Sequence, residues 1–129
     1  MMNNCAEKGY LNCLKYLHDN KCNYGMYTCS WAAYFGNLDC LKYLHEKGCS
    51  WYEDTCSSAA HNGNLDCLKY ARENGCNWTW HTCRNAAAND NLDCLKYAIE
   101  NDCLYDKQKC INEAKKNDHK DIIDYLESI

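Results

Sequence analysis

The stretch Thr55-Cys56-Ser57-Ser58-Ala59-Ala60-His61-Asn62-Gly63-Asn64-Leu65-Asp66-Cys67-Leu68-Lys69-Tyr70-Ala71-Arg72-Glu73-Asn74-Gly75-Cys76 decides the fold of this chain. It reads as two short helices around a break. The first runs from Thr55 to Asn62, with Thr55 as the expected N-cap, because a threonine hydroxyl can accept from the free N–H groups of a first turn. Gly63-Asn64 turns the chain. Asn64 is the expected N-cap of the second helix, and Asp66 sits near its positive end. That helix runs from Leu65 to about Asn74 and closes at Gly75, where a left-handed residue is wanted.

The unit repeats. Leu11-Asn12-Cys13-Leu14-Lys15-Tyr16-Leu17 recurs from Leu38, from Leu65 and from Leu92, each 27 residues on, with a decayed copy at Asp121–Leu126 displaced by one. Cys22, Cys49, Cys76 and Cys103 keep the same period, as do Cys29, Cys56, Cys83 and Cys110. Such self-similarity is the signature of an array whose single units cannot bury their own apolar faces. On the second helix Leu38, Cys40, Leu41 and Leu44 share one side, while Lys42, Glu46 and Lys47 lie opposite. Stacking aligns the Leu and Ala stripes into one continuous core.

Composition agrees. Of 129 residues none is Pro, 13 are Cys and one is Phe. Absence of Pro suits a helical chain, and the mean hydropathy of −0.72 leaves no room for a large conventional core. The net charge is −4, with no basic stripe for phosphate neutralisation, so nucleic acid is not an expected partner. No apolar run reaches the roughly 20 residues of a membrane span, and the first residues lack the pattern of a secretory signal. A cytoplasmic protein is expected.

Ala59-Ala60-x-x-Gly63-Asn64-Leu65-Asp66-Cys67-Leu68-Lys69-Tyr70 followed by Gly75-Cys76 resembles the ankyrin repeat, with Asn64 in place of the family's His, Leu68 of its Val and Cys76 of its last Ala. The Gly-Cys-x-Trp and Thr-Cys-x-x-Ala-Ala dialect is similar to the ankyrin-like arrays of giant DNA viruses that infect amoebae. The resemblance implies an all-α solenoid of about five stacked helix pairs. It also implies a protein-binding scaffold, in a viral setting one acting in host-cell cytoplasm. The unit is shorter than the ~33 residues of an ordinary ankyrin repeat. The missing residues fall around Ser50 to Asp54, so shortened loops and a reduced binding finger are expected. Residues 1–129 are read as one domain: a truncated unit at about 1–22, units at 23–49, 50–76 and 77–103, and a polar cap at 104–129.

No chemistry interrupts the period. Equivalent cysteines of adjacent units should stand a helix-packing distance apart, ~8–10 Å, beyond the ~4.4–6.8 Å that a disulfide spans. The cysteines are therefore read as free, small, buried hydrophobes. No Cys-x-x-Cys occurs, His18 and His45 are placed on the outer side of the second helix, and neither metal nor cofactor is expected. A catalytic centre needs one unique place, and none appears. Asp39 and Lys42, with their copies Asp66/Lys69 and Asp93/Lys96, are read as weak i,i+3 ion pairs on a solvated face.

Residues that differ between units are free to specify a partner. In the loops and first helices these include Met26, Tyr27, Trp31, Tyr34, Tyr52, His61, Trp80, His81 and Arg84, several of them types favoured at interface centres. Trp51 and Trp78 alternate with Tyr24 and Tyr105 at one phase and are assigned to packing, whereas Trp31 and Trp80 have no aromatic equivalents and head the binding set. The expected function is protein–protein recognition through the first-helix and loop face. The competing reading is a structural spacer or part of a longer array, with end-to-end self-association through the truncated first unit.

Overall fold

The computed structural model describes residues 2–25 and 27–129. Among them are ten helices in chain order: α1 Met2–Lys8, α2 Leu11–Asp19, α3 Thr28–Tyr34, α4 Leu38–Glu46, α5 Glu53–His61, α6 Leu65–Glu73, α7 Trp80–Ala88, α8 Leu92–Glu100, α9 Lys107–Lys116 and α10 Lys120–Ser128. Consecutive helices pack as antiparallel pairs. The odd-numbered helices pack closely in one row, and the even-numbered helices α2 to α8 form a sparser second row. No strand occurs among the described residues, in keeping with the shortened loops.

The tight row is built from small side chains. Cys29, Ala32, Ala33, Cys56, Ala59, Ala60, Cys83, Ala86 and Ala87 are fully buried between neighbouring first helices. Short side chains let the axes approach, and close packing then gains dispersion energy along the whole row. From the second row Leu14, Leu41, Leu44, Leu68, Leu95, Ile122 and Leu126 complete the same core.

Thr28, Thr55 and Thr82 are also fully buried, and Thr55 is not the cap of its helix. α5 begins two residues earlier, at Glu53, behind Tyr52. The threonine instead works inside the row. Thr28 Oγ1 accepts from Gly25 N (2.9 Å) and donates to Asn3 Oδ1 on α1 (2.6 Å), and Thr55 lies 3.4 Å from Ser30 Oγ on α3. Thr79 is the residue that caps α7, accepting from His81 N.

Asn64 does precede α6, but its side chain makes no bond to that helix. Its backbone N–H closes α5 on Ala59 O, in the manner of a Schellman turn. Its amide Nδ2 reaches back one pair and donates to Ala33 O and Tyr34 O, the last carbonyls of α3, at 2.9 and 2.7 Å. Asn37 does the same to Ala6 O and Glu7 O (2.7 and 2.8 Å), and Asn91 to Ala60 O and His61 O (2.8 and 2.9 Å). Helix ends leave their final carbonyls unpaired, so one amide finishes the previous helix while its own backbone finishes the current one.

This contact fixes the preceding glycine. Gly36 and Gly63 adopt φ of +73° and +71°. A Cβ there would lie 2.8 Å from Asn64 Oδ1 and 2.6 Å from Asn91 Oδ1. At the next copy Asp90 holds the left-handed conformation (φ 60°), and the residue that follows in space is His119, not asparagine. His119 Nδ1 makes one contact, to Ala87 O at 3.1 Å. The displaced register of the last pair is therefore built into the junction itself.

The outer face departs from the expected ion pairs. Among the described residues the ion pairs are Arg84–Glu113 and Lys116–Glu113, and none joins Asp39 to Lys42 or their copies. The lysines reach across to the tyrosine of the next pair instead. Lys15 lies over Tyr43, Lys42 over Tyr70, Lys69 over Tyr97 and Lys96 over Tyr125, at 5.4–6.0 Å from the ring centres. A four-carbon stem laid along an apolar ring keeps its ammonium in water while covering the ring. His18 and His45 are likewise half-buried and not free on the surface: His45 stacks on Trp51 at 4.0 Å and His18 on Tyr24.

Asn91→Ala is expected to destabilise the protein by about 2–3 kcal/mol, since two buried-end carbonyls lose their donor. Gly63→Ala should cost about 1–2 kcal/mol for the left-handed backbone alone and more against Asn91. In the double variant the clash is gone, so the two costs should sum to more than the measured total. Urea midpoints and slopes of the four proteins check this cycle.

Candidate functional site

The variable residues fall into separate groups once stacked. A 27-residue period places Glu7 beside Tyr34 and His61, Asn4 and Ser58 on either side of Trp31, and Tyr27 beside Asp54. Trp31 thus has a small neighbour in the following pair, and the gap stays open as a cleft of about 670 Å³, within the ~300–1,000 Å³ typical of ligand sites. Tyr27, Ser30, Trp31, Tyr34 and Phe35 form one wall, and Glu7, Asp54 and Ser58 complete it.

The rings support one another. Trp31 and Phe35 are stacked at 5.8 Å with 16° between planes, and Tyr34 meets them edge-on at 6.2 and 5.0 Å. Offset and edge-to-face geometries each add roughly 0.5–1.5 kcal/mol to apolar contact, so the cluster is held in shape while still exposed. Exposure is 39% for Trp31, 42% for Phe35 and 53% for Tyr27.

Trp80, His81 and Arg84 form a second, different group on α7. Trp80 is 44% exposed and stacks on His81 at 3.9 Å. The cations of Arg84 and Lys109 both lie 5.8 Å from its ring, and Arg84 also contacts Glu113 at 3.5 Å. The hydrogen bond from Lys116 lowers the pKa of the Glu113 carboxyl below the ordinary value, and Arg84 adds to the effect. Tyr52 is exposed in the loop before α5 and does not line the Trp31 cleft. His61 stands 5.3 Å from Tyr34 at the cleft's edge. Met26 lies outside the described residues. Phe35, which varies between units like Trp31 and Tyr34, also lines the cleft, and Glu7 in the same wall is absent from the binding set predicted above. Glu7 is legible only by reading down the column it shares with Tyr34.

The thiols are organised more closely than equivalent positions suggest. Cys29 and Cys49, Cys56 and Cys76, and Cys83 and Cys103 are interacting thiols, each pair within one helix pair. The interaction pushes the first thiol of each pair well up and holds the second below its ordinary value. Cys76 and Cys103 also donate to Tyr52 O and Thr79 O. Cys5 and Cys13 depart from the expectation of free cysteines. They form a disulfide, with Cα atoms 6.2 Å apart. Later pairs carry alanine at the phase of Cys5 (Ala32, Ala59, Ala86), so the bridge is possible only between α1 and α2. No group of three or more potential metal ligands gathers among the described residues, and no helix among them is long and apolar enough to cross a membrane.

Residues 4–45 match the family model described as ankyrin repeats (many copies). Among solved structures, the human ASB11 ankyrin repeat domain superposes with a TM-score of 0.82 over 98% of this chain and 67% of that one, at 18% identity. No curated protein sequence matches. The chain has the ankyrin-repeat solenoid fold.

Titration of the denatured, unreduced protein is expected to count 11 thiols, rising to 13 after reduction. Burial pushes Cys67 up to about 12 and Cys94 and Cys110 up to about 11. An unfolded chain ionises these thiols near 9, so the stability that they contribute is complete below pH 9 and lost as pH rises towards 11–12. Denaturation midpoints should fall across that window, and less steeply in Cys67→Ala.

Proposed function

We propose that residues 1–129 act as one recognition domain, in units of about 1–22, 23–49, 50–76, 77–103 and 104–129, that binds a protein partner through the first-helix row and its loops. One observation carries the reading. Five of the seven exposed aromatics among the described residues lie on this face, Tyr27, Trp31, Phe35, Tyr52 and Trp80, against Tyr10 and Tyr16 at α2. Exposed rings of this density are costly to leave in water without use and are the residue types that dominate interface energies. Ankyrin repeats generally mediate protein–protein interaction, and the domain reads as a scaffold without catalytic chemistry. The Cys- and Trp-rich dialect favours a viral protein meeting a host or viral partner in the cytoplasm.

The outer row supplies the control. Its lysines are engaged over tyrosines and contribute to stacking, not to a partner. Affinity capture with wild type, Trp31→Ala/Trp80→Ala and Lys42→Ala/Lys69→Ala should lose the partner only in the tryptophan variant. Each central tryptophan is worth about 2 kcal/mol or more, roughly 30-fold in affinity. A spacer without a dedicated site would give equal recovery from all three proteins, and loss in the lysine variant alone would move the site to the other face.

A further inference from the structure

Cations of the chain itself lie over six of its 16 aromatic rings. Tyr43, Tyr70, Tyr97 and Tyr125 each carry a lysine, Trp78 carries Arg72 at 4.7 Å, and Trp80 carries Arg84 and Lys109. Over Trp31, Tyr34 and Phe35 no Lys or Arg is placed among the described residues, although this is the most extensively stacked cluster on the first-helix row. Lys8, at the end of α1, does not line the cleft.

The cleft also holds uncompensated negative charge. Glu7 and Asp54 line it, and among the described residues neither makes an ion pair; both ion pairs go to Glu113. Asp54 Oδ1 is shielded from solvent and has no hydrogen-bond partner among the described residues. A shielded carboxylate oxygen without a donor is unfavourable and leaves its negative charge unscreened within the protein. The row is polarised along its length as well. Glu7 stands on α1 and Glu53 and Asp54 on α5, whereas Arg84, Lys107, Lys109, Lys115 and Lys116 gather on α7 and α9.

We propose that the cleft receives an arginine side chain from a basic segment of the partner, its guanidinium laid on Trp31 and Phe35 in the negative field of Glu7 and Asp54. The proposal rests on the recognition face and names what one part of it recognises. Arginine fits better than lysine because its planar fork can stack on a ring while donating in plane to a carboxylate. The arrangement repeats between chains what Arg84 and Trp80 do within one, with the acids supplied by the receiving side. An acidic or purely apolar segment would leave Glu7 and Asp54 opposed or buried without a donor, which costs specificity energy.

The test is a titration of the ¹⁵N-labelled protein with the blocked peptide Gly-Ser-Arg-Arg-Ser-Gly, and with the same peptide carrying citrulline in place of arginine. The arginine peptide should move the Trp31 indole N–H and the amides of Tyr27 to Phe35 while leaving the Trp80 indole in place. Citrulline, of equal shape and no charge, should move neither. Affinity should fall about tenfold in Trp31→Ala and in Glu7→Gln. Glu7 is exposed on α1, so that variant keeps its fold and keeps the proposal open to refutation. Equal shifts from both peptides, or equal movement of Trp80 and the outer-row lysines, would overturn it. So would movement of Trp31 on concentrating the protein alone, which would place a second copy in the cleft. A neutral or acidic peptide that binds at Trp31 when the arginine peptide does not would refute the cation and leave the recognition face standing. The face itself fails only in the capture experiment.

Discussion

From the second helix pair to the fourth, one asparagine amide ties each pair to its predecessor, and the geometry of the array follows from that bond. The amides of Asn37, Asn64 and Asn91 each span two successive carbonyls in the last turn of the preceding first helix. Two donors on one planar group, directed at two carbonyls in sequence, fix both spacing and rotation between neighbours. The glycines before the break are then doubly determined, by their left-handed backbone and by the asparagine that fills the space a Cβ would need. Where Asp90 replaces glycine, His119 replaces asparagine and two bonds become one contact. The last pair is attached more lightly, and its own core must do more, with Ile122 and Leu126 fully buried.

Spacing fixed in this way selects the residues of the seam. Between first helices held close together only small side chains fit, which is why alanine, cysteine, serine and threonine line it. Cysteine suits such a seam because its thiol is a weak donor that behaves as a small apolar group. The thiols of Cys29 and Cys49, Cys56 and Cys76, and Cys83 and Cys103 meet across each unit, from the first helix to the residue that closes the second. In the first pair Met2 stands where a cysteine would complete the set with Cys22, and the bridge between Cys5 and Cys13 joins the two helices instead.

The fold was legible because its cause is periodic. Leu11, Leu38, Leu65 and Leu92 mark the second helices, and Gly63-Asn64 marks the break, with no reference to tertiary structure. What the repeat could not disclose is where a polar side chain is spent. Thr55 and Asn64 both look like caps, since each precedes or opens a helix, but a cap is a local contact and theirs are made to the neighbouring pair. Lys42 and Asp39 have helical ion-pair spacing, yet a ring in the next pair attracts the lysine more effectively than an exposed carboxylate three residues away, a pairing worth only tenths of a kcal/mol. The site was half legible by the same logic. Trp31, Tyr34 and Tyr27 stand out as departures from the repeat, whereas Glu7 shows its place only when successive units are stacked and read down a column.

Reading by columns also separates two tryptophans that sequence treats alike. Trp31 and Trp80 both break the repeat and are similarly exposed, but their surroundings differ in sign. Around Trp80 the chain places Arg84 and Lys109, so that ring already has its cations and presents a basic surface. Around Trp31 it places Glu7, Asp54 and two further rings, with small residues leaving depth. Lysine laid over tyrosine along the second row, and arginine at Trp78 and Trp80, show which partner an aromatic face favours in this protein. At the Trp31 cluster an outside cation gains from rings and carboxylates whose cost of assembly was met when the array folded.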